Sequence, residues 1–101
     1  MNQSLQNLSN IEGLVIELLA EREAFGLELV ERSGGQVKRG TVYVTLARME
    51  DKGYVESRTE PAPPGAIGLP RRLYRPTPFG LRVLDASVLA AKAFADRMTA
   101  G

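Results

Sequence analysis

At 101 residues with 44% hydrophobic side chains, the chain has room for one modest core and one domain. It contains neither cysteine nor histidine, which removes disulfides, thiolate metal sites, a thiol nucleophile and the commonest general base, and so argues against an enzyme. The net charge of +1 says little by itself, but residues 1–35 carry two cations against six carboxylates, a net −4, whereas residues 36–101 carry eleven against six, a net +5. A chain divided in this way can set its basic part against a polyanion and turn its acidic part away.

The first ten residues are polar and uncharged, and no run of eighteen apolar residues occurs, so a cytoplasmic location is expected. A first helix is predicted from the capping box Ser9-Asn10-Ile11-Glu12, with Ile11, Leu14, Val15, Leu18 and Leu19 on a buried stripe ending near Ala20. A second helical stretch follows from about Ala24, with Phe25, Leu29 and Val30 on one side and Glu28, Glu31 and Arg32 on the other. Ser33-Gly34-Gly35 stops it, because glycine takes the left-handed conformation that a helix end favours.

A third helix is predicted from about Arg39 to Lys52, with Val42, Leu46 and Met49 inward and Gly53 as its stop. Two short helices joined by a tight glycine-containing turn outline a helix-turn-helix. Tyr54–Thr59 has strand character. The proline- and glycine-rich run from Glu60 to Pro70 reads as an exposed hairpin loop, and Arg71–Arg75 as the returning strand. Thr77-Pro78 opens a last helix with a capping hydroxyl and a first-turn proline.

Lys38 and Arg39 stand at the expected start of the third helix, where the macrodipole disfavours cations. With the helix N–H groups, Gly40 and Thr41 they form either an anion site or a solvated surface. Thr45, Arg48 and Lys52 lie away from the inward stripe, as residues entering a DNA major groove do, although by charge pattern alone a plain solvated face is the simpler reading. Tyr43 is either core or a phenol that reaches a phosphate oxygen. Arg71, Arg72 and Arg75, with Arg82 beyond, form the densest basic cluster, suited to a sugar-phosphate backbone or to the protection of an edge strand.

The run Gly40-Thr41-Val42-Tyr43-Val44-Thr45-Leu46-Ala47-Arg48-Met49-Glu50-Asp51-Lys52-Gly53-Tyr54-Val55 resembles the recognition helix and following turn of PadR-like regulators. Arg71-Arg72-Leu73-Tyr74-Arg75-Pro76-Thr77-Pro78-Phe79-Gly80 resembles their wing strand and helix start, and the first helix with Phe25-Gly26-Leu27-Glu28-Leu29 also fits. Two departures are Lys38, where many members carry a serine or threonine cap, and Val44, where many carry proline. The resemblance implies a dimeric winged-helix repressor whose third helix enters the major groove while the wing contacts the backbone. It shifts Thr41, Tyr43, Thr45 and Arg48 towards DNA contact. Members with large C-terminal domains bind small aromatic effectors; this chain ends after one helix, which leaves a small-molecule effector unsupported.

In the last helix Leu81, Leu84, Val88, Ala91, Ala95 and Met98 alternate in steps of three and four, the spacing of a coiled-coil seam. Pairing with a second copy and packing back on its own domain both satisfy that spacing. For pairing, Phe79, Val83 and Leu89 are left to the protomer's own core, and Leu5 and Leu8 are available to the partner's terminal helix. The expected fold is mainly α (α+β): a winged helix-turn-helix with a two-stranded wing over residues 1–78, and a C-terminal dimerisation helix over 79–101. The expected function is sequence-specific binding of double-stranded DNA by a homodimer at a pseudo-palindromic operator, with Lys38, Arg39, Thr41, Tyr43, Thr45, Arg48, Arg71 and Arg72 as contacts. No metal, cofactor or membrane enters this reading. The rival is a winged-helix protein–protein adaptor.

Overall fold

A computed structural model describes residues 8–61, 65 and 71–100, the last two without their side chains. Helix α1 (Asn10–Glu21) starts where the capping box places it: the Ser9 hydroxyl accepts from the Glu12 N–H at 3.1 Å and the Glu12 carboxylate accepts from the Ser9 N–H at 3.0 Å. Its last turn contains no cation of its own, and Arg32 supplies one from the next helix, donating to the carbonyls of Leu18 at 2.5 Å and Arg22 at 3.3 Å.

The stretch expected to be one helix from Ala24 divides into a short strand, β1 (Ala24–Phe25), and α2 (Gly26–Arg32). Two residues are too few to show strand alternation. They are extended because Ala24 and Phe25 pair with Tyr74 and Leu73, some fifty residues away along the chain. Helix α2 ends in a Schellman arrangement, with the Gly35 N–H on the Val30 carbonyl and the Gly34 N–H on that of Glu31. Both glycines adopt positive φ, 65° and 87°, as the stop signal requires.

Helix α3 (Val42–Asp51) begins three residues later than the sequence suggests. Lys38, Arg39 and Gly40 form a turn, closed by the Thr41 N–H on the Lys38 carbonyl, and only from Thr41 does the carbonyl accept a helical bond, from Thr45. Strands β2 (Val55–Glu60) and β3 (Arg71–Pro76) pair antiparallel from Val55↔Pro76 to Glu60↔Arg71. The sheet order is β1-β3-β2, so the two-stranded wing is anchored to the body through β1. Most of the expected hairpin loop, residues 62–64 and 66–70, lies outside the described residues, as does Leu5.

Helix α4 (Pro78–Ala100) is capped by Thr77, whose hydroxyl accepts from the Gly80 N–H at 2.9 Å and donates to the Gly53 carbonyl at 2.5 Å. Gly80 sits so close to the Tyr54 carbonyl that no side chain fits between them. The core draws Val15, Ile16 and Leu19 from α1, Leu29 from α2, Val37 from the turn, Val42, Leu46 and Met49 from α3, Tyr54 from the bend after it, Ala24, Val55 and Tyr74 from the sheet, and Val83 from α4. Ile16 belongs to this core although the predicted stripe omitted it. Leu84 packs partly on the core, Ser87, Val88 and Ala91 border a recess shared with α1, and the rest of α4 runs on from the body of the molecule, whose overall dimensions are 62 × 29 × 22 Å. The architecture is a winged helix-turn-helix with a long C-terminal helix.

Candidate nucleic-acid interface

The turn between α2 and α3 is held from within. Val37 is 1% exposed, and the Ser33 hydroxyl bridges it to α2 by accepting from the Val37 N–H and donating to the Val30 carbonyl, both at 2.9 Å. With Val37 pinned, the neighbouring Lys38 and Arg39 are turned out into solvent immediately ahead of α3. The Thr41 side chain makes no capping bond to the helix it precedes.

The buried stripe Val42, Leu46, Met49 leaves Tyr43, Val44, Ala47 and Arg48 on the exposed surface of α3. On one flank a recess of about 150 Å³ is lined by Ser9, Ile11, Glu12, Gln36, Lys38, Thr41, Thr45 and Arg48. On the other flank a groove of about 510 Å³ is bounded by Phe25, Gly26, Leu27, Glu28, Tyr43, Arg71, Arg72 and Tyr74. That groove brings the outer face of α3 and the wing strand β3 onto one surface.

Tyr43 is 52% exposed and therefore not a core residue; its ring lies across the α-carbon of Gly26, where a Cβ would stand 2.6 Å from the ring. The guanidinium of Arg71 lies over the Phe25 ring at 4.1 Å, and Arg72 donates to the Thr59 hydroxyl at 3.2 Å. Beneath them burial pushes the Tyr74 phenol above its ordinary range, and Glu50 adds to the effect.

Pairing sorts the cations. Arg75 is bound to Glu56 at 2.8 Å, and Arg58 to Glu23 at 3.0 Å and Glu60 at 2.8 Å. Lys52, read from the sequence as facing outward to a groove, instead bonds Glu12 at 2.8 Å. Burial pushes the Glu12 carboxyl up, but the Lys52 ammonium and the Ser9 N–H and hydroxyl outweigh it and leave the group below its ordinary value. Among the described residues Lys38, Arg39, Arg48, Arg71 and Arg72 have no carboxylate partner. Gly26, Phe25 and Glu28, whose carboxylate accepts from the Phe25 N–H at 2.7 Å, escaped the sequence reading as parts of this surface. Phe25 is not a capping residue, so that bond had no recognisable signature.

Of the candidate seam, Leu84 is half-buried on the protomer's own core, while Leu81, Val88, Ala91, Ala95 and Met98 are exposed, Val88 at 52% and Met98 at 69%. Val83 joins the core as expected, and Phe79 leans on Tyr54 with ring centroids 5.7 Å apart. Leu89, which the sequence assigned to the core, is exposed, as is Phe94. Val88 and Ala91 border a recess shared with α1, whereas Leu89 lies on another face of α4 and Phe94 lies further along it.

The family model described as "Transcriptional regulator PadR-like family" matches residues 15–86. This chain belongs to the PadR-like family. The matched span runs from α1 through the helix-turn-helix and wing into α4. Among solved structures, a PadR family transcription regulator from Clostridium difficile is 23% identical, with 90% of this chain and 96% of that chain covered at a TM-score of 0.73. A PadR family transcriptional regulator from Eggerthella lenta is 28% identical, with 88% and 78% covered and a TM-score of 0.72. Bacillus subtilis PadR, solved in complex with operator DNA, shares the fold at 18% identity, covering 81% of this chain and 47% of that chain at a TM-score of 0.69. No match was found among curated proteins. Among the described residues no PadR-like helix is long and apolar enough to cross a membrane, and no group of acidic side chains could hold a metal ion.

Proposed function

We propose that this PadR-like regulator is a repressor that binds double-stranded DNA sequence-specifically, as a homodimer on a pseudo-palindromic operator. The observation that carries the reading is the shared groove in which Tyr43 of α3 faces Arg71 and Arg72 of β3, with Lys38, Arg39 and Arg48 likewise free of carboxylate partners among the described residues. Protein–DNA contacts divide into backbone positioning and base reading. Lys38, Arg39, Tyr43, Arg71 and Arg72 suit phosphates, and Thr41, just ahead of α3, with Thr45 and Arg48 along one flank of it, suit base edges. The operator complex of the B. subtilis relative supports the same use of this fold.

Residues 1–78 serve as the DNA-binding unit and 79–101 as the dimerisation helix, whose exposed Leu81, Val88, Ala91, Ala95 and Met98 need a covering partner. A two-fold dimer sets two recognition helices on half-sites about 34–36 Å apart. Repression follows from occupancy of the operator in the cytoplasm, with no chemistry and no cofactor. Titration of random-sequence duplex at several salt concentrations tests this reading, because neutralising several phosphates makes log affinity fall steeply with log salt. A flat response, or no binding at low salt, favours a protein–protein adaptor built on the same fold.

A further inference from the structure

The outward face of α3 is apolar at its start. With Val42, Leu46 and Met49 buried, helical spacing directs Val44 and, two turns on, Asp51 most nearly away from the core, with Ala47 and Arg48 flanking them. Val44 is 53% exposed and Ala47 is exposed as well. A β-branched side chain gives up rotamer freedom in a helix, and burial normally offsets that cost. Here the branch belongs neither to the core cluster nor to the residues packed against it. Nothing in the described fold therefore accounts for an aliphatic residue at this point.

Its surroundings indicate what does. On one side stand Lys38, Thr41, Thr45 and Arg48; on the other stands Tyr43, with Arg71 and Arg72 beyond it. An apolar strip between two cationic flanks is complementary to the DNA major groove, where phosphates border the base edges on both sides. The apolar group presented on those edges is the 5-methyl of thymine. The early residues of a recognition helix are also the ones that reach base edges.

We propose that Val44, with Ala47 beside it, is a specificity-determining residue that packs on thymine 5-methyl groups, so that each half-site carries thymine opposite the start of α3. The proposal rests on the DNA-binding reading above. Neither side chain has a hydrogen-bonding atom, so discrimination comes from burial alone: cytosine offers no methyl there, and the valine is left against water. Thr41, Thr45 and Arg48 supply the polar contacts around it.

The test uses a duplex recovered by selection from a random DNA library, titrated with the full chain, and the same duplex with each thymine in turn replaced by deoxyuridine, which lacks just the 5-methyl. Affinity is expected to fall about fourfold at one or two positions per half-site, the share of one buried methyl group. Val44→Ala, checked for retained helix by circular dichroism, is expected to lose that penalty. Equal affinity for every deoxyuridine duplex overturns the proposal, and so does a penalty that persists undiminished in Val44→Ala. A selection that yields no preferred duplex overturns sequence-specific binding itself, and the salt titration registers separately whether any DNA binding remains.

Discussion

A Cβ built on Gly26 would stand 2.6 Å from Cε1 of Tyr43 and 2.9 Å from Cζ, so the first residue of α2 has to be glycine for the tyrosine of α3 to lie where it does. The atoms in the way are the far end of an exposed side chain, which can swing aside. Gly26→Ala is therefore expected to leave the fold intact, displace Tyr43 and weaken DNA binding. Tyr43→Phe keeps the ring and removes the hydroxyl, with an expected loss of about 1 kcal/mol in DNA binding, the usual worth of one hydrogen bond. Thermal melts of both variants, run beside DNA titrations, separate binding from stability; a phenylalanine variant that binds as well as the natural chain removes the phenol from the interface.

Arg39 and Arg72 belong to different elements and have no carboxylate partners among the described residues. Arg39→Ala and Arg72→Ala are each expected to reduce the slope of log affinity against log salt by about 0.9, as loss of one phosphate contact does. Their melting temperatures should match that of the natural chain. Unchanged slopes in both variants would remove the turn and the wing from the phosphate contacts.

Val88→Asp tests the covering of α4. The side chain is 52% exposed and lies beyond the part of α4 that packs on the core, so the protomer should fold normally. Sedimentation is expected to show a dimer for the natural chain and a monomer for the variant, because a buried carboxylate in a small apolar seam has no partner. A dimer surviving the substitution would place the interface elsewhere.

At Gly80 the obstacle is main chain. An added Cβ would strike the Tyr54 carbonyl, which also accepts from the Thr77 N–H at 3.0 Å and so cannot retreat without releasing the start of α4. Gly80→Ala is expected to cost about 1–3 kcal/mol, as overpacking of a close contact does. At roughly 4–8 °C per kcal/mol for a domain of this size, a thermal melt resolves the loss easily.

The Glu12 carboxyl is held below its ordinary value of 4.5 in the folded chain, so the folded state binds its proton less readily than the unfolded one. The resulting stability is fully present above the ordinary value and is lost as pH falls through the lower, folded one. Glu12→Gln retains an oxygen for the Ser9 N–H but abolishes the charge facing Lys52. It is expected to cost about 0.5–1 kcal/mol at neutral pH, with the difference from the natural chain vanishing in acid. Denaturant melts at pH 7 and pH 3 measure both numbers, and a difference that is the same at both pH values would deny the ion pair its role.

Local signals were legible wherever a short stretch of chain carries its own instruction. Ser9 with Glu12, Gly34 with Gly35, Gly53, and Thr77 with Pro78 each satisfy or end a helix using atoms within a few residues, so the helical skeleton could be read from order alone. Val42, Leu46 and Met49 marked the inner face of α3 by spacing, and the same spacing marked the outer face proposed to meet DNA. The motifs around Gly40–Val55 and Arg71–Gly80 announced the family for the same reason.

What tertiary structure decided lies between segments distant in the sequence. The pairing of Ala24 and Phe25 with Tyr74 and Leu73 created a strand with no local pattern, and it also carried Phe25 beneath Arg71. Glu12 reached forty residues along the chain to occupy Lys52, and Glu56 across the hairpin to occupy Arg75, which removed two cations that charge placement alone had left available. Sequence by itself determined which residues are basic and which helical face is apolar. Which cations stay unpaired, and that Tyr43 rests on Gly26 beside the wing, depends on distances that exist only once the chain is folded.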